Sequence, residues 1–339
     1  MSHPRRVVVT GGAGFIGSHL VERLLGDGCH VTVLDDFSTG REANLAALRR
    51  HAALAVHTVD VAEHARVVPL VAGAEWVFHL AALADIVPSV ERPLAYHRAN
   101  VDGTASVVEA ARKAGVRRFV YAASSSCYGI PDVYPTPESA AIRPQYPYAL
   151  TKRLGEEIVL HWAQVYGLPA VSLRFFNVFG PRARTSGTYG AVFGVFLAQK
   201  LAGRPFTVVG DGTQTRDFTF VTDVVDALVA AAASDVTGEV LNVGSGTPHS
   251  VNRLIALLGG GEVTHLPVRP GEPACTHADT TRIAQRLGWR PRTSFEAGVH
   301  TMLDNIDYWR EAPVWTPESI AKATQDWFTF LRPSSPSLH

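Results

Sequence analysis

A chain of 339 residues carrying 31 basic and 31 acidic side chains is long enough for a large core in one domain or two unequal ones. Its balanced charge excludes a basic face for nucleic acid and an acidic tail. Three cysteines (Cys29, Cys127, Cys275) form neither a metal-ligand spacing nor a disulfide framework, which points to a reducing compartment and no metal.

The first residues lead straight into a strand-like run and resemble no secretion signal. The longest apolar window, Val67 to Pro88, is broken by Glu75 and His79. The expectation is a cytoplasmic protein without membrane contact.

In chain order, β-branched runs predict strands at Arg6–Thr10, His30–Leu34, Leu54–His57, Trp76–Leu80, Arg118–Ala122 and Ala170–Arg174. Amphipathic helical patterns lie between them, at Phe15–Leu25, Ala95–Ala114 and Tyr148–Tyr166 among others. This alternation implies an α/β fold, a doubly wound parallel (Rossmann) sheet. Phe175 to Thr188 is rich in Gly, Pro, Arg and Asn and reads as loop. A helix follows at Val192–Leu201, then a strand at Phe206–Val209. Further strands are expected at Phe218–Val221 and Val240–Val243, with a helix at Val224–Ala233 between them. Pro267–Pro273 is a loop, the last stretch is helical, and 333–339 is a tail. The expected division is residues 1–176, completed by about 218–243, for the nucleotide-binding domain, and 177–217 with 244–332 for a smaller α+β cap.

The first strand and helix are joined by Thr10-Gly-Gly-Ala-Gly-Phe-Ile-Gly17. Gly11 permits a tight turn, Gly14 lets a pyrophosphate approach the backbone, and Gly17 lets helix and strand pack closely. The phosphates then lie at the helix N-terminus, against the free N–H groups of its first turn, with Phe15 and Ile16 beside them. Asp35 ends the second strand, eighteen residues past Gly17. A carboxylate there accepts the ribose hydroxyls of the adenosine and repels a 2′-phosphate, which favours NAD over NADP. Asp36 is placed to share that role, in a turn with Ser38, Thr39 and Gly40. Asp60, with Val61, follows the third strand and either reaches the adenine edge or caps a helix. His79-Leu80-Ala81-Ala82 ends the fourth strand with small residues that admit a flat cofactor, and Asn100 lies on the helix beyond.

Ser124-Ser125-Ser126 follows the fifth strand, at the carboxyl end of the sheet where ligands bind in such folds. A hydroxyl there can hold an alcohol, and Ser124 is the candidate, with Ser125 and Ser126 as substrate contacts. Tyr148 and Lys152 are four apart on one helix face. A nearby cation lowers a phenol's pKa from about 10, which makes Tyr148 a candidate base for an alcohol.

The glycine motif, the strand-end serine and Tyr148-x-x-x-Lys152, occurring in that order from about Arg5 to about Pro291, resemble the extended short-chain dehydrogenase/reductases, and within them the nucleotide-sugar epimerases and dehydratases. The resemblance implies a tightly held NAD, Tyr148 as catalytic tyrosine, Lys152 on the nicotinamide ribose and Ser124 as partner. It also implies a homodimer pairing Ala95–Ala114 and Tyr148–Tyr166 of each subunit. Arg174-x-x-Asn177-Val-x-Gly-Pro181 resembles the family segment whose Asn binds the diphosphate. Gly210–Asp217 resembles the one whose Arg (Arg216) meets it, and Arg269-Pro-Gly-Glu272 the one giving a second Arg and an acid for the nucleotide ribose. Two guanidiniums suit a diphosphate through bidentate, charge-assisted bonds. Val192, Phe193 and Phe206 either line the base pocket or pack the core.

Family members that eliminate water between C5 and C6 resemble Thr-Asp-Glu where this chain has Ser124-Ser125-Ser126, and those that decarboxylate a glucuronic acid resemble Thr-Ser-Glu. Without those acids the expected activity is 4-epimerisation of a nucleotide-linked hexose through a 4-keto sugar, the sugar being of UDP-glucose, UDP-N-acetylglucosamine or uronic acid type. The alternatives are 4,6-dehydration, epimerisation at another carbon, and a non-catalytic NAD-binding sensor. The position limiting room at C2 falls near Cys275 or Thr276, both small. Ala84 stands where UDP-galactose 4-epimerases often carry lysine. Asp85 either accepts a sugar hydroxyl or caps the following turn.

Overall fold

The computed structural model describes residues 6–183 and 192–331. The strands, in chain order, are β1 (Arg6–Thr10), β2 (His30–Asp35), β3 (Leu54–Thr58), β4 (Trp76–His79), β5 (Arg118–Ser124), β6 (Ala170–Phe175), β7 (Asn177–Phe179), β8 (Phe206–Val209), β9 (Thr215–Arg216), β10 (Phe218–Phe220), β11 (Glu239–Val243), β12 (His249–Ser250) and β13 (Val263–Leu266). Seven of them form one parallel sheet in the order β11-β6-β5-β4-β1-β2-β3. Strand order reverses between β1 and β4, and the crevice at that point is where such sheets bind ligands.

The helices of the first half are α1 (Phe15–Gly26), α2 (Glu42–Leu45), α3 (His64–Val71), α4 (Ile86–Glu91), α5 (Pro93–His97), α6 (Gly103–Ala114) and α7 (Pro147–Tyr166). Those of the second are α8 (Val192–Leu201), α9 (Val221–Ala233), α10 (Val251–Leu257), α11 (Thr281–Leu287), α12 (Phe295–Asp304), α13 (Pro317–Ala323) and α14 (Gln325–Phe330). Because side chains alternate along a strand, β1 sends Val7 and Val9 to one face and Val8 to the other. Leu20, Val21 and Leu24 of α1 and Val224, Leu228 and Ala231 of α9 cover the first face. Val67 and Val71 of α3, Val107 and Ala111 of α6 and Val159 of α7 cover the second. A third core, rich in phenylalanine, lies in the cap between α8, α10, α12 and β10.

Three expectations change. The pattern over Ala95–Ala114 is broken: the chain starts α5 with Pro93 at the first turn and widens into a π-helical turn over Arg98–Asp102 before α6. Asn177–Phe179, read as loop, is a strand because Phe218–Phe220 pairs with it in parallel, a partner that local composition does not reveal. That pairing also takes β10 out of the central sheet, whereas β11 joins the sheet and α9 packs on its face. The rest of the loop after Ala183 and the tail lie outside the described residues. Among the described residues no helix is long and apolar enough to cross a membrane, and no cluster of His, Cys, Asp and Glu could hold a metal ion.

Candidate active site

In the turn from β1 into α1, Gly11 and Gly17 have no room for a side chain. Gly11 has φ +69°, and a Cβ there would stand 2.7 Å from the backbone nitrogen of Ala81. A Cβ on Gly17 would stand 2.1 Å from the Gly11 carbonyl oxygen. Gly14 is the N-cap of α1 and offers no capping side chain, so first-turn N–H groups face the crevice for a ligand to satisfy. Phe15 and Ile16 leave this turn to pack on the cap core.

Asp35 is buried, and each carboxylate oxygen accepts one backbone bond at 2.9 Å, from Ala13 and from Phe37. Burial pushes its carboxyl upward against those two bonds. Each oxygen keeps a second lone pair for a ribose hydroxyl. Gly40 closes over it, since a Cβ there would lie 2.6 Å from Asp35 Oδ1. Asp36 is occupied otherwise, accepting the Ser38 backbone at 2.9 Å and its hydroxyl at 2.7 Å, so Asp35 is the better-placed acid of the two. Thr39 completes the same turn. Asp60 does not cap α3, whose N-cap is Glu63. It holds its own turn through Ala62 (2.9 Å) and pairs with Arg98 (2.7 Å), next to buried Val61. Leu80 and Ala81 are tied to β1 through the Thr10 carbonyl and hydroxyl, at 3.2 Å each. His79 bonds both Thr10 (2.7 Å) and Thr104 (3.0 Å), and burial holds its pKa down to about 3, so it stays neutral. Asn100 gives both amide hydrogens away, to the Leu83 carbonyl and the Thr151 hydroxyl (3.0 Å each), and accepts the Leu83 N–H (2.8 Å). It therefore fixes the loop after Ala82.

Ser124 ends β5 and Tyr148 opens α7, where Pro147 fits the first turn. The Ser124 Oγ lies 2.9 Å from Ser126 Oγ, accepts the Ser126 N–H at 3.2 Å, and stands near enough to the Tyr148 phenol to favour its charged form. Ser125 and Ser126 form the 3₁₀ turn that follows. The Tyr148 phenol is pushed above 10, first by burial, with Asp85 and Cys127 adding and Ser124 opposing. This reverses the expectation of a phenol lowered by its lysine. Lys152 is itself buried, which pulls its pKa down to about 7, with Glu156 opposing, and its Nζ lies 4.4 Å from the Tyr121 ring centroid. Asp85 is the N-cap residue of α4, but its side chain makes no capping bond. The capping reading falls, and its charge is felt at Tyr148 instead.

At the far end, Asn177 accepts the Thr276 hydroxyl at 2.7 Å, and that hydroxyl accepts the Asp217 N–H at 3.0 Å. The bond fixes the amide so that its NH₂ group is the end left to donate. Arg216 donates to Glu272 at 2.7 Å, and Arg269 lies 3.8 Å from the same carboxylate. Glu272 thus bridges the two guanidiniums. Of the two readings of Phe193, the contacts favour core packing: it stacks on Phe179 (4.6 Å between centroids) and meets Phe218 edge-on (5.4 Å). Phe206 packs on Phe196 in the same core, and Val192 lies partly buried at its margin.

Residues 7–244 match the model of a family described as NAD dependent epimerase/dehydratase. The chain belongs to that family. It is 39% identical over 302 residues to a UDP-glucose 4-epimerase of Mycolicibacterium smegmatis, covering 87% of this chain and 96% of the relative. A UDP-N-acetylglucosamine 4-epimerase from Methanobrevibacter ruminantium, solved with UDP-N-acetylmuramic acid, superposes with a TM-score of 0.84 at 33% identity, over 90% of this chain and all of that one. A UDP-glucuronic acid 4-epimerase from Bacillus cereus, solved with UDP-glucuronic acid and NAD, does so at 0.83 and 31%, over 89% and 99%. The glycine cradle, the buried Asp35 and the seven-stranded sheet fit the family's NAD.

Sequence reasoning missed several residues that support the candidate site. Asp217, beside Arg216, is fully buried and accepts bonds from Ser245 N and Oγ, Gly246 N and Ala278 N, knitting the cap loops to the clamp. Tyr146 stacks on Tyr148 with centroids 6.4 Å apart and planes 6° from parallel. Glu156, one turn past Lys152, holds Arg174. The first and last carried a signal, an acid next to a motif arginine and an i, i+4 spacing from the lysine. Tyr146 carried only adjacency.

Proposed function

We propose that this chain is an NAD-dependent nucleotide-sugar 4-epimerase acting on a UDP-linked hexose. One observation carries the reading: Ser124 ends a central strand at its carboxyl end beside Tyr148, Lys152 stands four residues on along the same helix, and serines occupy the two positions where elimination would need carboxylates. Bound NAD supplies the hydride acceptor. Tyr148 takes the proton of the 4-hydroxyl, Ser124 holds that oxygen, and Lys152 steadies the ribose and the developing phenolate. The sugar then turns as a 4-ketone and is reduced from its other face. Asn177, Arg216 and Arg269 keep the diphosphate fixed while the sugar moves, so binding energy sits on the part that does not react. In this reading 1–176 with 218–243 hold the dinucleotide, and 177–217 with 244–332 hold the sugar nucleotide. UDP-glucose, UDP-N-acetylglucosamine and their uronic acids are the substrates to supply. NMR of the products is expected to show the 4-epimer without added NAD. A 6-deoxy-4-keto product, or no epimer from any of them, overturns it.

The same reading makes the protein a cytoplasmic homodimer. Its support is apolar exposure on and beside the helices expected to pair: Leu94, just before Ala95, is 84% exposed, and Leu150, Val165 and Tyr166 of α7 are exposed as well. Light scattering is expected to give the mass of two chains; the mass of one chain would remove this part.

A further inference from the structure

The family match ends at residue 244, yet the final described helix, α14, returns to the site. It lies beside α4 and buries Trp327. The indole Nε1 donates to the Pro270 carbonyl at 2.7 Å. The Arg269 guanidinium carbon stands 5.6 Å from the centre of the indole. On another side the indole meets Tyr146, 6.1 Å between centroids at 45°, and Tyr146 in turn stacks on Tyr148. One side chain from the C-terminal segment thus touches the loop that carries a clamp arginine and the ring that backs the reacting tyrosine.

We propose that Trp327 is a positioning residue for the sugar-nucleotide diphosphate, acting through Arg269 and Tyr146. This rests on the nucleotide-sugar reading above. Loop 267–273 has no regular structure of its own to set the direction of Arg269. A cation held against an indole face, with the neighbouring carbonyl bonded to the indole nitrogen, gives that loop two fixed points. A pre-aimed guanidinium loses less freedom when the diphosphate arrives, and the gain appears as affinity. Tyr146, wedged between Trp327 and Tyr148, transmits the same support to the reacting end. These contacts involve Arg269, Pro270 and Tyr146, and neither the glycine turn nor Asp35 is among them.

The test is titration calorimetry of UDP on the full chain with its bound NAD. Trp327→Ala is expected to weaken UDP by about tenfold, with NAD content unchanged. Trp327→Phe keeps a ring under Arg269 but loses the bond to Pro270, and its affinity is expected to fall between the two. Phe330→Ala, on the exposed side of the same helix, is expected to match the wild type. UDP is also expected to change the intrinsic tryptophan fluorescence of the wild type, and that change shrinks in Trp327→Phe. Circular dichroism separates misfolding from weakened binding, and the Phe variant carries the test if the Ala variant does not fold. Equal UDP affinity in wild type and both Trp327 variants overturns the proposal alone. A wild type that binds no UDP overturns the nucleotide-sugar reading, and this proposal with it.

Discussion

Tyr148→Phe is expected to lower kcat by about 10²- to 10⁴-fold, the usual worth of a positioned acid–base group, while the protein still purifies with NAD. The phenol stands beside Ser124 with a proton to exchange, and removing its oxygen leaves the ring packing of Tyr146 intact. In the proposed reading the adenosine and pyrophosphate of NAD rest on the glycine turn and Asp35, which the substitution does not reach. Burial and Asp85 hold the phenol above its ordinary value, Cys127 adds to this, Ser124 opposes it, and Lys152 stands one turn along the same helix. The base form is populated above the pKa, so kcat/KM is expected to rise with pH. Asp85→Asn removes a negative neighbour, lowers the phenol's pKa and moves the rising limb to lower pH. Turnover within threefold of wild type in Tyr148→Phe, or a limb that moves upward in Asp85→Asn, would sink this assignment.

What the residues disclosed in advance was local, and what they withheld was tertiary. The central strand runs with β-branched residues emerge within a residue or two because burial on both faces of a parallel sheet demands that composition. Gly11 and Gly17 were legible because a Cβ there meets backbone, a constraint no other residue escapes. Strand β7 was not legible, since Asn177–Phe179 is a strand only by virtue of Phe218–Phe220 beside it. Nor was the direction of the Tyr148 shift, because spacing reports the lysine but not the depth at which both groups sit. Phe193 shows the same limit from the other side: an aromatic near a motif looks like a pocket wall until Phe179 and Phe218 are found on its faces. Trp327 lies 175 positions beyond Lys152, and its partners are set wholly by the fold.

Glu156→Gln is expected to cost about 3–5 kcal/mol of folding stability, the usual loss when a buried ion pair is left with one partner. Glu156 accepts from Arg174 through both its oxygens, the shortest contact being 2.6 Å, with side chains 1% and 3% exposed. Ser172 donates to it at 2.8 Å and Arg153 at 2.6 Å. The guanidinium left behind keeps the Tyr128 hydroxyl (2.8 Å) and the Glu138 carbonyl (3.2 Å), both neutral, and no counter-charge. The double variant Glu156→Gln with Arg174→Met removes the stranded charge as well, so its loss is expected to be smaller than that of Glu156→Gln alone. Urea unfolding of the four proteins measures this, and a double variant that loses the sum of the two singles would refute it. The pair also sets an acid limit. Burial works against the Glu156 carboxylate, but its arginines and Ser172 win and hold its pKa below 4.5. Its contribution is therefore complete above pH 4.5 and is lost as pH falls through the lower, folded value. Function follows from place: Glu156 lies one turn beyond Lys152 on α7 and grips Arg174 on β6, so the bridge fixes the helix that carries Tyr148 and Lys152 to the strand that leads to Asn177. Losing it frees the base and the clamp to drift apart, and in the surviving folded fraction of Glu156→Gln kcat is expected to fall while NAD remains bound.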